Sequence, residues 1–295
     1  MSGPGSDVVE HLASPATSPA LEVDHVSAAY GPYRALFDVS FAVPHGGVVA
    51  LLGSNGAGKS TVARVVTGLL ASSSGSVWLH GADVTNKAAY RIARAGVAHV
   101  PEGRGIFANL TVEENLTLVF RQRAGRAKVA ESLAAAYEAF PVLGSRRKQR
   151  GGTLSGGQQR LLSLAKVLVV PPLLLVADEL SLGLAPVVVD AVYDGLRRIN
   201  ATGTALLVVE QQVDRALGIA TSAVVLEHGS VAFDGPTSQA MAAVEQVLAA
   251  RGERTVIVQD HSRLASETDD VTAKRDRRWT IGRSKRGDPD EKEQS

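Results

Sequence analysis

Three short stretches of the chain are apolar at every position: 48–52 (VVALL), 173–177 (LLLVA) and 205–209 (ALLVV). None alternates with polar residues, and each is too short for a buried helix. Such runs predict strands covered on both faces, as in a parallel sheet. Each ends abruptly at polar or flexible residues, namely Gly53, Asp178-Glu179 and Glu210-Gln211. Elsewhere the pattern loosens. LEVDHVSAAY (21–30) alternates irregularly and predicts an edge strand, and FDVSFAV (37–43) alternates again before the Pro44-His45-Gly46-Gly47 turn. A polar turn over 72–75 precedes a short strand at 77–79, and 97–100 is another strand. Residues 224–227 and 231–233 pair around His228-Gly229.

Helical spacing fills the intervals. A helix is predicted over 60–70, and another from Asn86 as N-cap through Arg94, with Gly96 just past its end. Thr111 with Glu114 forms a capping box that opens a helical stretch carrying Leu116, Val119, Leu133 and Tyr137. Helices also start at 154–160 and at Pro186, the latter ending near Gly203, and a last one covers 236–250. Strands alternating with helices predict an α/β fold with an antiparallel β piece near the N-terminus. The helical insertion spans about 103–165. Arg121, Arg123, Arg126, Lys128, Arg146, Arg147, Lys148 and Arg150 give it a solvated basic face.

Composition narrows the partners. Of 295 residues 45% are apolar, enough for a substantial core, and 31 basic residues face 30 acidic ones, so no net field argues for nucleic acid. The absence of cysteine excludes disulfides and fits a reducing compartment. Residues 1–20, rich in Ser, Pro, Ala and Gly, read as a disordered arm without a signal-peptide pattern. Residues 251–295 read as a charged, mostly disordered tail with a weak strand signal at 255–258. The domain proper is 21–250. Its most apolar run, 161–177, is interrupted by Lys166 and Pro171-Pro172 and cannot span a bilayer, so any membrane role must come through a partner.

The chemistry starts where the first apolar run ends. Gly53-Ser54-Asn55-Gly56-Ala57-Gly58-Lys59-Ser60-Thr61 fits the phosphate-loop pattern at every fixed position, between a strand and a helix as the mechanism requires. Glycines let the backbone wrap so that N–H groups face phosphate oxygens, and the helix N-terminus adds partial positive charge. Lys59 is placed for the β- and γ-phosphates, and Ser60 for Mg²⁺. The loop predicts ATP or another nucleoside triphosphate. It does not say how the triphosphate is used.

Further stretches narrow that. Leu154-Ser155-Gly156-Gly157-Gln158-Gln159-Arg160, the strand ending in Asp178-Glu179, the following Ser181-Leu182-Gly183-Leu184, and Tyr30 together resemble the ABC (ATP-binding cassette) ATPases over about 21–250. The resemblance implies that Leu154, Ser155, Gly156, Gly157 and Gln158 form a signature that caps ATP held by a second cassette. Asp178 would then hold Mg²⁺, Glu179 would act as general base, and Tyr30 would stack on adenine. Two positions depart from the commonest family pattern: Glu102 replaces a glutamine and Gln211 a histidine. With the wording VPEGRGIFANLTVEENL and DELSLGLAP, they resemble the LivF-type subunit of branched-chain amino acid importers. That implies transmembrane permease subunits, a second cassette subunit, an extracytoplasmic solute-binding protein, and a peripheral place at the cytoplasmic membrane face. Glu102 offers an oxygen ligand to Mg²⁺, whereas Gln211 can bond the γ-phosphate but cannot take up a proton as histidine does. This chain's site is therefore expected to be the weaker of two in a heterodimer. His228, in a turn, is expected to be a surface residue. Import or export of another solute, a soluble two-cassette type of protein, and a regulatory ATP sensor are the alternatives.

Overall fold

The computed structural model describes residues 18–102 and 105–250. The tail and the 255–258 strand signal lie outside that range, as does most of the N-terminal arm. Ser18 and Ala20 are already buried, and the Ala20 carbonyl accepts from the His80 amide, so packing begins earlier than residue 21.

The strands are β1 (Leu21–Tyr30), β2 (Tyr33–Val43), β3 (Val48–Leu52), β4 (Ser72–Leu79), β5 (Ala82–Asp83), β6 (Val97–Val100), β7 (Leu174–Asp178), β8 (Ala205–Val209), β9 (Ser222–Glu227) and β10 (Ser230–Pro236). The helices are α1 (Lys59–Val66), α2 (Ala89–Arg94), α3 (Val112–Arg123), α4 (Val129–Ala139), α5 (Pro141–Gly144), α6 (Gly156–Leu168), α7 (Pro186–Ala201), α8 (Val213–Leu217) and α9 (Thr237–Ala250). One sheet runs β10-β9-β3-β8-β7-β6, with β9, β3, β8, β7 and β6 parallel and β10 antiparallel to β9. The other is antiparallel, in the order β2-β1-β4-β5.

Every residue of β3, β7 and β8 is buried. Alternate side chains enter two different cores. Ala50, Leu52, Leu175, Ala177, Leu206 and Val208 join the core with the helical insertion and α7, while Val49, Leu51, Leu174, Val176, Leu207 and Val209 join the one with α1 and the antiparallel sheet. Two apolar faces leave no polar position in the run, which is why these strands are uninterrupted in sequence.

Four local expectations need correction. Strand β1 is not an edge strand, because it lies between β2 and β4. Its pairing slips around Asp24 and His25, with His25 at φ 50°, and this bulge put polar residues into an interior strand. The polar 72–75 segment is not a turn but the start of β4, with Ser72 and Ser74 paired to Ala28 and Ser27. Gly75 makes that possible, since a Cβ there would lie 2.3 Å from the His25 carbonyl oxygen. Helix α1 stops at Val66 rather than at 70, where Gly68 turns left-handed at φ 70°. Asn86 is not the N-cap of α2, a place that Ala88 takes without a side-chain bond. Asn86 instead accepts from the Ser72 amide at 2.8 Å and anchors the start of β4. The Thr111–Glu114 capping box on α3 is present as expected. Among the described residues no helix is long and apolar enough to cross a membrane.

Candidate functional site

The C-terminal ends of parallel strands form crevices where ligands bind in open α/β sheets. Here β3, β6, β7 and β8 deliver the 53–58 loop, Glu102, Glu179 and Gln211 to one edge. They border an open cavity of about 880 Å³, lined also by Asn55, Gly56, Gly58, Lys59, Ser60, Thr61 and Leu182. Arg34, Ala35 and Phe37 of β2 form its other wall, and the exposed His228 reaches it from the β9–β10 turn.

The loop geometry depends on two glycines. Gly53 has φ 148°, and a Cβ on it would sit 2.5 Å from the Leu226 carbonyl oxygen. Gly58, at φ 105°, would press a Cβ to 2.8 Å from Leu36 Cδ2. Both left-handed turns thus carry the chain tightly from β3 into α1. Helix α1 has no side-chain cap and no acidic residue in its first turn, so its leading amides face the cavity edge without an internal acceptor. That is an anion-binding end. Lys59, 4% exposed, donates from Nζ to the Gly53 and Ser54 carbonyls at 2.9 and 3.2 Å, and so lies across the loop.

Two carboxylates close the opposite side. Ser60 Oγ donates to Asp178 Oδ1 at 3.4 Å. Asp178 is 5% exposed, and burial, reinforced by the charge of Glu179, pushes its carboxyl up to about 6. Glu179 Oε1 lies 3.6 Å from Lys59 Nζ. Its backbone is left-handed at φ 47°, costly for a side chain of this kind by about 1–3 kcal/mol. The Glu179 amide donates to the Val209 carbonyl at 2.8 Å, which fixes the residue at the β7–β8 junction.

The residues fit a divalent cation of the magnesium type. A serine hydroxyl and a buried carboxylate stand in contact, and a cation there would offset the burial and the Glu179 charge that raise the carboxyl's pKa. No three His, Asp or Glu side chains converge on one point among the described residues. A cation held by Ser60 and Asp178 would therefore complete its shell with phosphate oxygens and water, as Mg²⁺ does and Ca²⁺ cages do not.

Residues 154–158 lie elsewhere. Ser155 caps α6: its Oγ accepts from the Gln158 amide at 3.3 Å while Gln158 Oε1 accepts from the Ser155 amide at 3.2 Å. Ser155 and Gly156 are exposed, Leu154 and Gly157 are buried, and none of residues 154–158 lines the cavity. Tyr30 does not line it either. Its ring is 40% exposed, and its hydroxyl accepts from Arg64 Nη1 at 3.2 Å.

Some participants carried little or no sequence signal for their role. Glu210 is 2% exposed and accepts from Ser181, from its amide at 3.1 Å and its hydroxyl at 2.8 Å, so the segment after Glu179 is tied to the residue before Gln211. Burial pushes the Glu210 carboxyl up, partly offset by those two bonds. The charge of Glu210 in turn helps burial keep the proton on the Tyr193 hydroxyl. An acidic residue closing an apolar strand was the available hint. Phe37 read as an ordinary strand residue and Arg34 lay outside the predicted strands, and only the sheet's placement brings them to the cavity.

Comparison with known proteins agrees with this geometry. A family model described as ABC transporter matches residues 36–181. The high-affinity branched-chain amino acid transport ATP-binding protein BraG of Pseudomonas aeruginosa is 39% identical over 213 residues, covering 72% of this chain and 90% of BraG. The probable LivF protein of Archaeoglobus fulgidus is 35% identical, over 72% of this chain and 91% of its own. The Nod factor export ATP-binding protein I of Rhizobium etli is 33% identical, over 73% and 68%. Among solved structures, an ATP-binding subunit of an ABC transporter superposes with TM-score 0.67 at 27% identity, over 78% of this chain and 97% of that one. With the glycine loop, the Ser60–Asp178–Glu179 group and the serine-capped α6 N-terminus in one fold, and with these relatives, the chain belongs to the ABC transporter family, as one of its ATPase subunits.

Proposed function

We propose that the chain hydrolyses ATP to power uptake of branched-chain or related amino acids through transmembrane permease subunits fed by an extracytoplasmic solute-binding protein. In this reading it works at the cytoplasmic face of the membrane as one of two cassettes. The observation that carries the substrate class is the 39% identity across 90% of BraG, above the 33% to an export subunit covered over 68%.

The residues divide the work. The amides of 53–58 and of the α1 start, with Lys59, bind the phosphates. Ser60 and Asp178 would hold Mg²⁺, and Glu102 lines the same cavity as Ser60. The ion, when bound, neutralises phosphate charge. Glu179 accepts the proton of the attacking water; its left-handed backbone and its amide bond to Val209 hold the carboxylate at that point. Gln211 donates to a γ-phosphate oxygen without accepting a proton. Ser155, Gly156 and Gly157 present the α6 N-terminus to ATP on the other cassette, a role supported by the exposure of Ser155 and Gly156 away from the chain's own cavity. Tyr30 borders the adenine.

Glu179→Gln tests this directly. Turnover should fall by at least about 100-fold, while ATP should now drive association measurable by light scattering. Unaltered turnover would sink the catalytic assignment, and no response of any kind to ATP would favour a different use of the nucleotide.

A further inference from the structure

Residue Arg160 is the fifth residue of α6, only five positions past the exposed Ser155. On an amphipathic helix this inward position would ordinarily be apolar, as at Leu161, Leu162 and Leu164 around it. It is instead a guanidinium, 9% exposed. Its Nη1 donates to the Pro101 carbonyl at 2.7 Å, across 59 residues of sequence. Pro101 directly precedes Glu102 on the cavity wall. The charge of Arg160 is offset by Glu102 first, then by Glu210, Asp178 and Glu179. A buried arginine is tolerated only with such compensation. So a cation rooted in the signature helix stands behind the carboxylate side of the nucleotide cavity and grips the strand end that bears Glu102.

A short charge-assisted bond from a buried, rigid side chain transmits displacement rather than absorbing it. If α6 moves when its N-terminus engages ATP on the other cassette, the 101–102 segment must move too or this bond must break. We propose that Arg160 is a positioning residue that sets Glu102 against the Mg²⁺ side of this chain's own site and links that setting to the signature helix. The link to the helix rests on the two-cassette reading above. The setting of Glu102 does not.

The test uses purified full-length chain and a fluorescent ATP analogue, titrated with Mg²⁺ and with EDTA. The readout is the ratio of the two affinities, which needs no turnover. Arg160→Gln should shrink that ratio at least fivefold and leave the EDTA affinity within twofold. Arg160→Lys, which keeps the charge but not the planar fork, should fall between. A wild-type ratio in Arg160→Gln overturns the proposal, as does an equal loss with and without Mg²⁺, the mark of mere unfolding. Should Arg160→Gln be insoluble, Arg160→Lys decides alone: an intermediate ratio supports the proposal and an unaltered one overturns it. Adding Ser155→Arg tests the link. Non-additive effects on the ratio support it, and strictly multiplicative effects overturn the link. Light scattering of Glu179→Gln with ATP, run alongside, reports the two-cassette reading separately.

Discussion

Removing the Glu210 carboxylate offers the sharpest check on how the site is held. In Glu210→Ala, the Ser181 amide and hydroxyl, in a residue 1% exposed, lose acceptors now at 3.1 and 2.8 Å. Each buried donor left unsatisfied costs about 1–3 kcal/mol. Against that stands relief from burying an acid, a burial strong enough to raise its pKa. The net expectation is a loss of about 2–3 kcal/mol. Urea denaturation measures it, and a double-mutant cycle with Ser181→Ala isolates the pair. Coupling of roughly 1 kcal/mol or more is expected, since Ser181→Ala removes one of the stranded donors. Additivity within about 0.4 kcal/mol would refute the claim that these two side chains brace each other. The pH dependence has a definite sign. Because the folded carboxyl titrates above its unfolded value of 4.5, the folded state holds this proton longer, and Glu210 itself withdraws stability as pH rises from 4.5 through its raised value. The isosteric Glu210→Gln should therefore compare more favourably with wild type at pH 8 than at pH 5.

Two neighbouring glycines should separate folding from function: a Cβ at Gly157 would lie 2.3 Å from Val188 Cγ1, whereas one at Gly156 meets only Leu184 Cδ2 at 3.7 Å. Gly157→Ala should lose about 1–3 kcal/mol in denaturant, while a bulky Gly156 replacement should keep the melting temperature and lose ATP-driven association. Lys166 sits over the Phe107 ring at 5.4 Å and donates to the Gly105 carbonyl, and burial pushes its ammonium down to about 8. The unfolded state then binds the extra proton between about 8 and 10.5, so stability should rise with pH across that window, and Lys166→Met should flatten the rise in thermal melts.

By itself, the sequence determined the features set by local geometry. The runs at 48–52, 173–177 and 205–209 read as strands covered on both sides, and they are buried except at Leu173, which is 53% exposed just ahead of β7. The phosphate loop and the Thr111–Glu114 capping box were legible because each is completed within a few residues. Tertiary structure decided what depends on pairing between distant segments. The polar 72–75 stretch becomes a strand because a bulge at His25 receives Gly75, a fact no local window contains. Asn86 looked like a helix cap, yet serves a strand fourteen residues earlier. Likewise the brace of Glu210 on Ser181, the grip of Arg160 on Pro101, and Phe37 at the cavity wall arise from contacts across 29, 59 and more residues. Short-range hydrogen bonding and burial period write themselves into neighbouring residues. A buried charge finding its partner across the fold leaves only an isolated polar letter in an apolar stretch.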